Sequence, residues 1–278
     1  MHFPRSAAAE LWRPPAPPMR SNLAIGLRIL LGRSPGLLDT LPRDCYTRDI
    51  VSVPIGRRPV FIVNHPETIR RIFTEDRERY PKSDLMVSTL APLIGDGVLV
   101  SGGERWEHDR KMLEPAFMQM RLEALFPKMQ EAVDDWIQRL QALAPGASIE
   151  MEAELSRVTA DVMFRVLFSQ AIDGDDASKV FSAFASFQRH SPQFDLRVVL
   201  DSDPSRPAQQ SPELLEQAMQ IRGLIEKLLD QRLTQLDKGE RFIDFAQAVI
   251  DARDTQGRAF SREQMVDQLA VFLSLIHI

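Results

Sequence analysis

Trp106 and Arg110 stand four residues apart, so on a helix they share one face. An indole N–H and a guanidinium fork side by side suit a carboxylate or phosphate held in a partly buried place. The same spacing also suits a plain surface cation–π pair, and only the surroundings separate the two readings. Those surroundings are Gly102-Gly103-Glu104-Arg105-Trp106-Glu107-His108-Asp109-Arg110-Lys111-Met112-Leu113-Glu114-Pro115-Ala116-Phe117. Two glycines open the run and Pro115 closes it, leaving about three turns of helix between them. Arg105 and Lys111 add positive charge nearby. His108 falls roughly 160–200° round the helix from Trp106 and Arg110, and reads as a solvated or backbone-bonded residue.

Other chemistry-bearing residues are sparse. Cys45 is the single cysteine, which excludes a disulfide framework and suits a reducing compartment. It lies in Cys45-Tyr46-Thr47-Arg48, with no glycine frame, and reads as a small packed residue. His65 sits at a helix start, and His2, His190 and His277 have no partners at ligand spacing, so a protein zinc site is not supported. Asp173-Gly174-Asp175-Asp176 is a solvated turn, too short for a calcium loop. Neither a Walker loop nor Gly-x-Gly-x-x-Gly occurs, so nucleotide binding is not supported.

The elements that must position these residues fit one large domain or two small ones in 278 residues. The 44% hydrophobic content is ordinary for a folded globular chain, and the net charge of −5 argues against a general nucleic-acid surface. No apolar run approaches the ~18 residues of a spanning helix, and the start lacks a signal-peptide core, so the expectation is a soluble cytoplasmic protein. Residues 1–34 form a proline-rich N-terminal segment carrying Pro14-Pro15-Ala16-Pro17-Pro18. Ile50–Val53 and Val60–Val63 read as strands of a hairpin joined by Ile55–Pro59. Asn64 caps the next helix with Glu67 as a capping box, and Ile69, Ile72 and Phe73 form its buried stripe.

Residues 84–101 are apolar without a clear period and read as an irregular core-facing loop. After Phe117 helices dominate. Met129, Val133, Trp136, Ile137 and Leu140 make one stripe, with Trp136 as core. Leu155, Val158, Val162, Met163, Val166 and Leu167 mark the next helix, and Val180, Phe181, Phe184 and Phe187 give an aromatic stripe that suits core packing. Residues 191–212 carry four prolines and read as a long loop. A helix of about 25 residues follows, with Leu215, Ile221, Ile225, Leu228, Leu229 and Leu233 on its apolar side. Phe242–Ala252 is a short helix. Ser261 caps the last one, with Gln264 three residues on and Val266, Leu269, Ala270 and Leu273 on one face.

Gly97-Val98-Leu99-Val100, the charged run and Pro115-Ala116-Phe117 together resemble the C helix of cytochrome P-450, the haem-thiolate monooxygenases. The order hairpin, helix, then Arg79-Tyr80-Pro81-Lys82-Ser83 resembles that family's first sheet and B helix. The later helices resemble its F helix, F–G loop, G helix and the start of its I helix. The resemblance covers roughly residues 35–273 and implies a mainly α fold with a small β-sheet, incomplete after the start of the I helix. It implies that Trp106 and Arg110 bind a haem propionate, with Met86, Leu90, Val98 and Phe184 as a weaker substrate-lining set. The implied activity inserts one oxygen atom from O2 into a small apolar organic substrate. Electrons would come from NAD(P)H through a ferredoxin- or flavodoxin-type partner or a reductase.

The family's haem iron is held by a cysteine in Phe-x-x-Gly-x-x-x-Cys-x-Gly, which does not occur here, and no iron ligand or catalytic residue is assigned in this chain. Glu-x-x-Arg occurs at Glu10/Arg13, Glu107/Arg110 and Glu154/Arg157 among other places, none in the family's place. The chain by itself is therefore expected to be inactive. The alternative is a non-enzymatic helical module that binds a small apolar ligand or a protein partner. Residues 274–278 read as a non-native tail, because Leu273-Ser274-Leu275-Ile276-His277-Ile278 is also the translation of a transposon-end sequencing adapter.

Overall fold

A computed structural model describes residues 41, 43–55, 58–119, 122–172, 179, 182–184, 186–187 and 210–274. The proline-rich segment, the 173–176 turn, Val180, Phe181, most of the 191–212 loop and residues 275–278 lie outside the described residues. The described residues fall into two compact units, 41–80 and 81–274.

The first unit holds a 3-10 turn, Arg43–Tyr46, and the expected antiparallel hairpin of β1 (Ile50–Ile55) and β2 (Arg58–Val63). Ile50 pairs with Val63 and Ile55 with Arg58, so the strands run two residues closer to the turn at each end than alternation alone suggested. Asn64 does not cap the following helix. Its Nδ2 donates instead to the carbonyls of Cys45 (2.7 Å) and Arg48 (2.9 Å), tying the end of β2 to the 3-10 turn. The helix α1 (Pro66–Arg70) starts after His65, with proline at a first-turn position where a missing N–H costs little. It then widens into a π-helical turn, Arg71–Glu75. The widening carries Ile72 and Phe73 off the 3.6-residue period. Contrary to the expected buried stripe, none of Ile69, Ile72 and Phe73 is buried, and Phe73 is 75% exposed. Among the described residues of this unit, two strands and a few short turns offer too little surface to cover it.

The second unit is built of α2 (Asp84–Ile94), α3 (Gly103–Gln119), α4 (Leu122–Gln141), α5 (Met151–Phe168), α6 (Pro212–Asp237), α7 (Phe245–Asp251) and α8 (Arg262–Ser274). At its centre α8 packs against α2, α5, α6 and α7. Its expected face, Val266, Leu269, Ala270 and Leu273, is fully buried. Its capping box forms in both directions: the Ser261 N–H donates to Gln264 Oε1 (2.7 Å) and the Gln264 N–H to Ser261 Oγ (3.2 Å).

Residues 84–94 are helical rather than an irregular loop. Met86, Val87, Leu90, Leu93 and Ile94 do follow helical spacing, and Leu85 and Val98–Val100 had blurred it. Ser83 caps α2 by accepting from the Met86 N–H. Pro92 inside α2 cannot donate to the Ser88 carbonyl, and Gln210 Nε2 donates there instead at 2.7 Å. The helix α3 likewise continues past Pro115 to Gln119.

In α4 the inward positions are Leu125 and Ala132, whereas Val133 and Ile137 of the expected stripe are exposed. Trp136 is half-buried rather than core, and its indole N–H donates to Glu154 Oε2 at 3.1 Å. On α5, Leu155 is exposed while Val166 and Leu167 are buried. On α6, Leu214 rather than Leu215 turns inward, and Ile221, Ile225, Leu228 and Leu229 are buried as expected. Phe184 and Phe187 pack in the same core. Among the described residues no helix is long and apolar enough to cross a membrane.

Candidate functional site

The first residues of α3 build the site. Gly103 has φ +54, a conformation that favours glycine, and the first helical bond runs from the Trp106 N–H to the Gly102 carbonyl. Glycines therefore set where the helix starts, and the start sets where Trp106 and Arg110 point. Trp106 is half-buried and Arg110 exposed, with about 40° between them around the axis. The buried face beside them is formed by Asp109, Met112 and Leu113.

Lys82 joins this corner. Its Nζ donates to the carbonyls of Val98 and Ser101, both at 2.8 Å, and lies 6.0 Å from the centre of the Trp106 ring. Partial burial lowers the Lys82 ammonium from its ordinary pKa. Arg110 makes no ion pair among the described residues. By contrast Arg105 is occupied: its Nε donates to Asp109 Oδ2 at 2.8 Å, and that bond raises its pKa. An exposed guanidinium with no ion pair among the described residues, one helical turn from an indole, has the chemistry that fits a carboxylate such as a haem propionate.

Cys45 does not fit an iron ligand. It is buried in the 3-10 turn of the first unit, and burial pushes its thiol pKa up, away from the thiolate. No cluster of His, Cys, Asp or Glu suited to a metal ion occurs among the described residues.

His108 is neither free in solvent nor bound to backbone. Its Nδ1 lies 3.1 Å from Asp109 Oδ1 and its Nε2 3.6 Å from Asp254 Oδ2. A carboxylate only accepts, so Nδ1 carries the proton. Asp254 is held below the ordinary carboxylate range, first by the Arg258 N–H. These groups border a cavity of about 290 Å³ with Lys111, Met112 and Arg253, on the far side of α3 from Trp106 and Arg110.

Of the substrate-lining expectations, Met86 and Leu90 sit on α2, and Val98 in the turn after it, all half-buried. Leu90 and Val98 pack on the core cluster that contains the buried Phe184. A larger cleft of about 660 Å³, lined by Ser182, Ala183, Ser186, Gln220 and Leu224 among others, includes none of the four.

Asp109 escaped the sequence reading. Inside a charged run it looks solvated, yet it is fully buried, and its partner Gln268 lies 159 residues downstream. The i, i+4 spacing of Arg105 and Asp109 was the only local signal.

Comparison with known proteins shows the family. The family model described as Cytochrome P450 matches residues 15–274. A human ultra-long-chain fatty acid omega-hydroxylase is 25% identical, over 93% of this chain and 52% of its own length. A cytokinin hydroxylase of Arabidopsis thaliana is 24% identical over 80% of this chain and 43% of its own. Human cytochrome P450 4F12 is 28% identical over 56% of this chain and 30% of its own. The chain thus spans about half the length, or less, of these curated relatives.

Proposed function

We propose, starting from the fact that this chain belongs to the cytochrome P450 family, that it is the front portion of a haem-dependent monooxygenase. The full-length enzyme inserts one oxygen atom from O2 into a small apolar organic substrate. Its electrons come from NAD(P)H through a ferredoxin- or flavodoxin-type partner or a reductase. Haem, when bound, supplies the oxygen chemistry, and this chain's residues hold and orient it. The observation that carries the reading is the shared face of Trp106 and Arg110, with the guanidinium uncommitted among the described residues.

On this reading Arg110 holds a propionate by a charge-assisted bond, Trp106 walls it, and Lys82 adds positive potential. Leu90 and Val98, which pack against the core cluster that contains Phe184, form with Met86 the apolar wall on the substrate side. They exclude water and favour an apolar ligand. The two hydroxylases among the relatives act, by their names, on a fatty acid and on a cytokinin, which supports oxygen insertion without choosing a substrate. Cys45, buried in a turn of the first unit, would not serve as the thiolate that holds the haem iron in this family. The 278-residue chain alone is accordingly inactive and lacks the thiolate Soret band of a reduced carbon-monoxide complex.

The test is haem release from the full-length protein. A hydrogen bond to a charged group contributes about 1.5–3 kcal/mol, so Arg110→Ala should speed haem dissociation roughly 10- to 150-fold. Unchanged haem content and dissociation kinetics would overturn the propionate assignment.

A further inference from the structure

We infer that Asp109 is the positioning residue of this haem site, fixing the rotation of α3 that presents Trp106 and Arg110; the inference rests on the propionate reading above. Asp109 is fully buried, directly before Arg110 and three residues after Trp106. Three donors hold it. Oδ2 accepts from Arg105 Nε at 2.8 Å and from Gln268 Nε2 at 3.1 Å, and Oδ1 accepts from His108 Nδ1 at 3.1 Å.

Gln268 is itself fully buried on α8, and both ends of its amide are in use. While Nε2 serves Asp109, Oε1 accepts from the Val98 N–H at 3.1 Å. The Val98 carbonyl in turn accepts from Lys82 Nζ, which lies over the Trp106 ring. The circuit thus leaves α3 at Asp109 and returns to it at Trp106, passing through the central helix and the turn after α2.

Apolar contacts alone let a helix roll by some degrees at little cost. Met112 and Leu113 on the buried face of α3 are contacts of that kind. A fully buried carboxylate with three donors is different, because any roll parts an ion from partners that water cannot replace. Arg110 is the next residue, about 100° round the axis, so the rotation locked by Asp109 is the rotation that aims the guanidinium. His108 lies on the far side, with Asp254 at 3.6 Å, and bears on the same carboxylate from outside.

A double-mutant cycle on haem dissociation from the full-length holoprotein separates positioning from plain stability. Asp109→Asn keeps the size of the side chain and removes the charge that gathers Arg105, His108 and Gln268. It should speed haem release by about 10-fold, the usual scale for an outer partner of a ligand-holding group. In an Arg110→Ala background the same change should have a clearly smaller effect, since only Trp106 remains to be mis-aimed. Gln268→Met removes the α8 donor to Asp109, together with the acceptor of the Val98 N–H, without altering α3, and should likewise have a smaller effect in that background. Equal factors in both backgrounds, or no effect of either variant beside an effective Arg110→Ala, would overturn the positioning role alone. No effect of Arg110→Ala itself would overturn the propionate reading, and this inference with it.

Discussion

Replacing Asp244 by alanine should cost the protein about 4 kcal/mol, the scale for breaking a buried ion pair by removing one partner. The structure supplies each part of that figure. Asp244 takes a fork from Arg232, Nη1 to Oδ1 at 2.7 Å and Nη2 to Oδ2 at 2.8 Å, with both side chains almost wholly out of water. Oδ1 also accepts from the Gln247 N–H and so caps α7, and Oδ2 accepts from Ser169 Oγ. After truncation Arg232 keeps the Phe168 carbonyl at 2.6 Å and the Phe242 ring at 3.7 Å, and its Nε already has no partner among the described residues. The lost cap adds about 1 kcal/mol by itself, but it uses the same oxygens, so the two costs do not simply sum.

Asp244→Asn separates them. It caps equally well and keeps one oxygen, so the charge and one arm of the Arg232 fork are lost, for about 2 kcal/mol. Lys128, which donates to Ser169 Oγ and is held below its ordinary pKa by burial, should be lowered further, because the Asp244 charge that opposes the lowering is gone while that of Arg232 stays. The assay is urea unfolding of the full-length protein at fixed haem saturation, comparing midpoints at unchanged slope. An Asp244→Ala cost below ~1 kcal/mol would show that water reaches Arg232 freely and that the pair is not the buried knot described.

Two further outcomes follow from the turn against α8. At Gly95, φ is +57 and an added Cβ would lie 1.9 Å from Asp267 Oδ1, so Gly95→Ala should cost about 2 kcal/mol or more, read as a lowered melting temperature. Burial raises the Asp267 carboxyl above its ordinary 3.8, and the opposing Arg222 bond at 2.8 Å lowers it by less. The folded state therefore binds that proton more tightly than the unfolded one. The contribution is complete below 3.8 and is lost as pH rises through the raised value. Asp267→Asn should remove this part of the slope, so wild-type stability minus mutant stability falls with pH and then levels; a difference that grows with pH contradicts it.

What was legible in the sequence was whatever local spacing decides. The hairpin, the α8 capping box, the length of α6 and the shared face of Trp106 and Arg110 all lie within a few turns of chain. What failed depended on distant partners. The helix over 84–94 lacked a clear period in the sequence, and it tolerates Pro92 because Gln210 supplies the donor to Ser88 from 122 residues away. Asn64 looked like a cap because nothing nearby reveals that its amide is taken by Cys45 and Arg48. The fault in the α4 stripe was of another kind. Several apolar residues offer two overlapping faces, and packing against α5 selects the one through Leu125 and Ala132.

The same distinction explains why the buried helix α8 carries Asp267 and Gln268 side by side. Apolar residues there would raise burial, and Val266, Leu269, Ala270, Val271 and Leu273 already provide it. The turn after α2 satisfies only part of its own backbone, through the Gly97 N–H to the Ile94 carbonyl and the Val100 N–H to the Gly97 carbonyl. Asp267 accepts from the Asp96 N–H at 3.1 Å and Gln268 from the Val98 N–H at 3.1 Å, so two successive side chains take two orphaned donors. Their remaining atoms reach outward, Asp267 to Arg222 on α6 and Gln268 to Asp109 on α3. A shape-matched apolar pair would leave both amides unpaired and would also release α3 and α6 from a common reference. The polar pair therefore makes the position of the Trp106–Arg110 face a property of the central helix as well as of the glycine turn that precedes it.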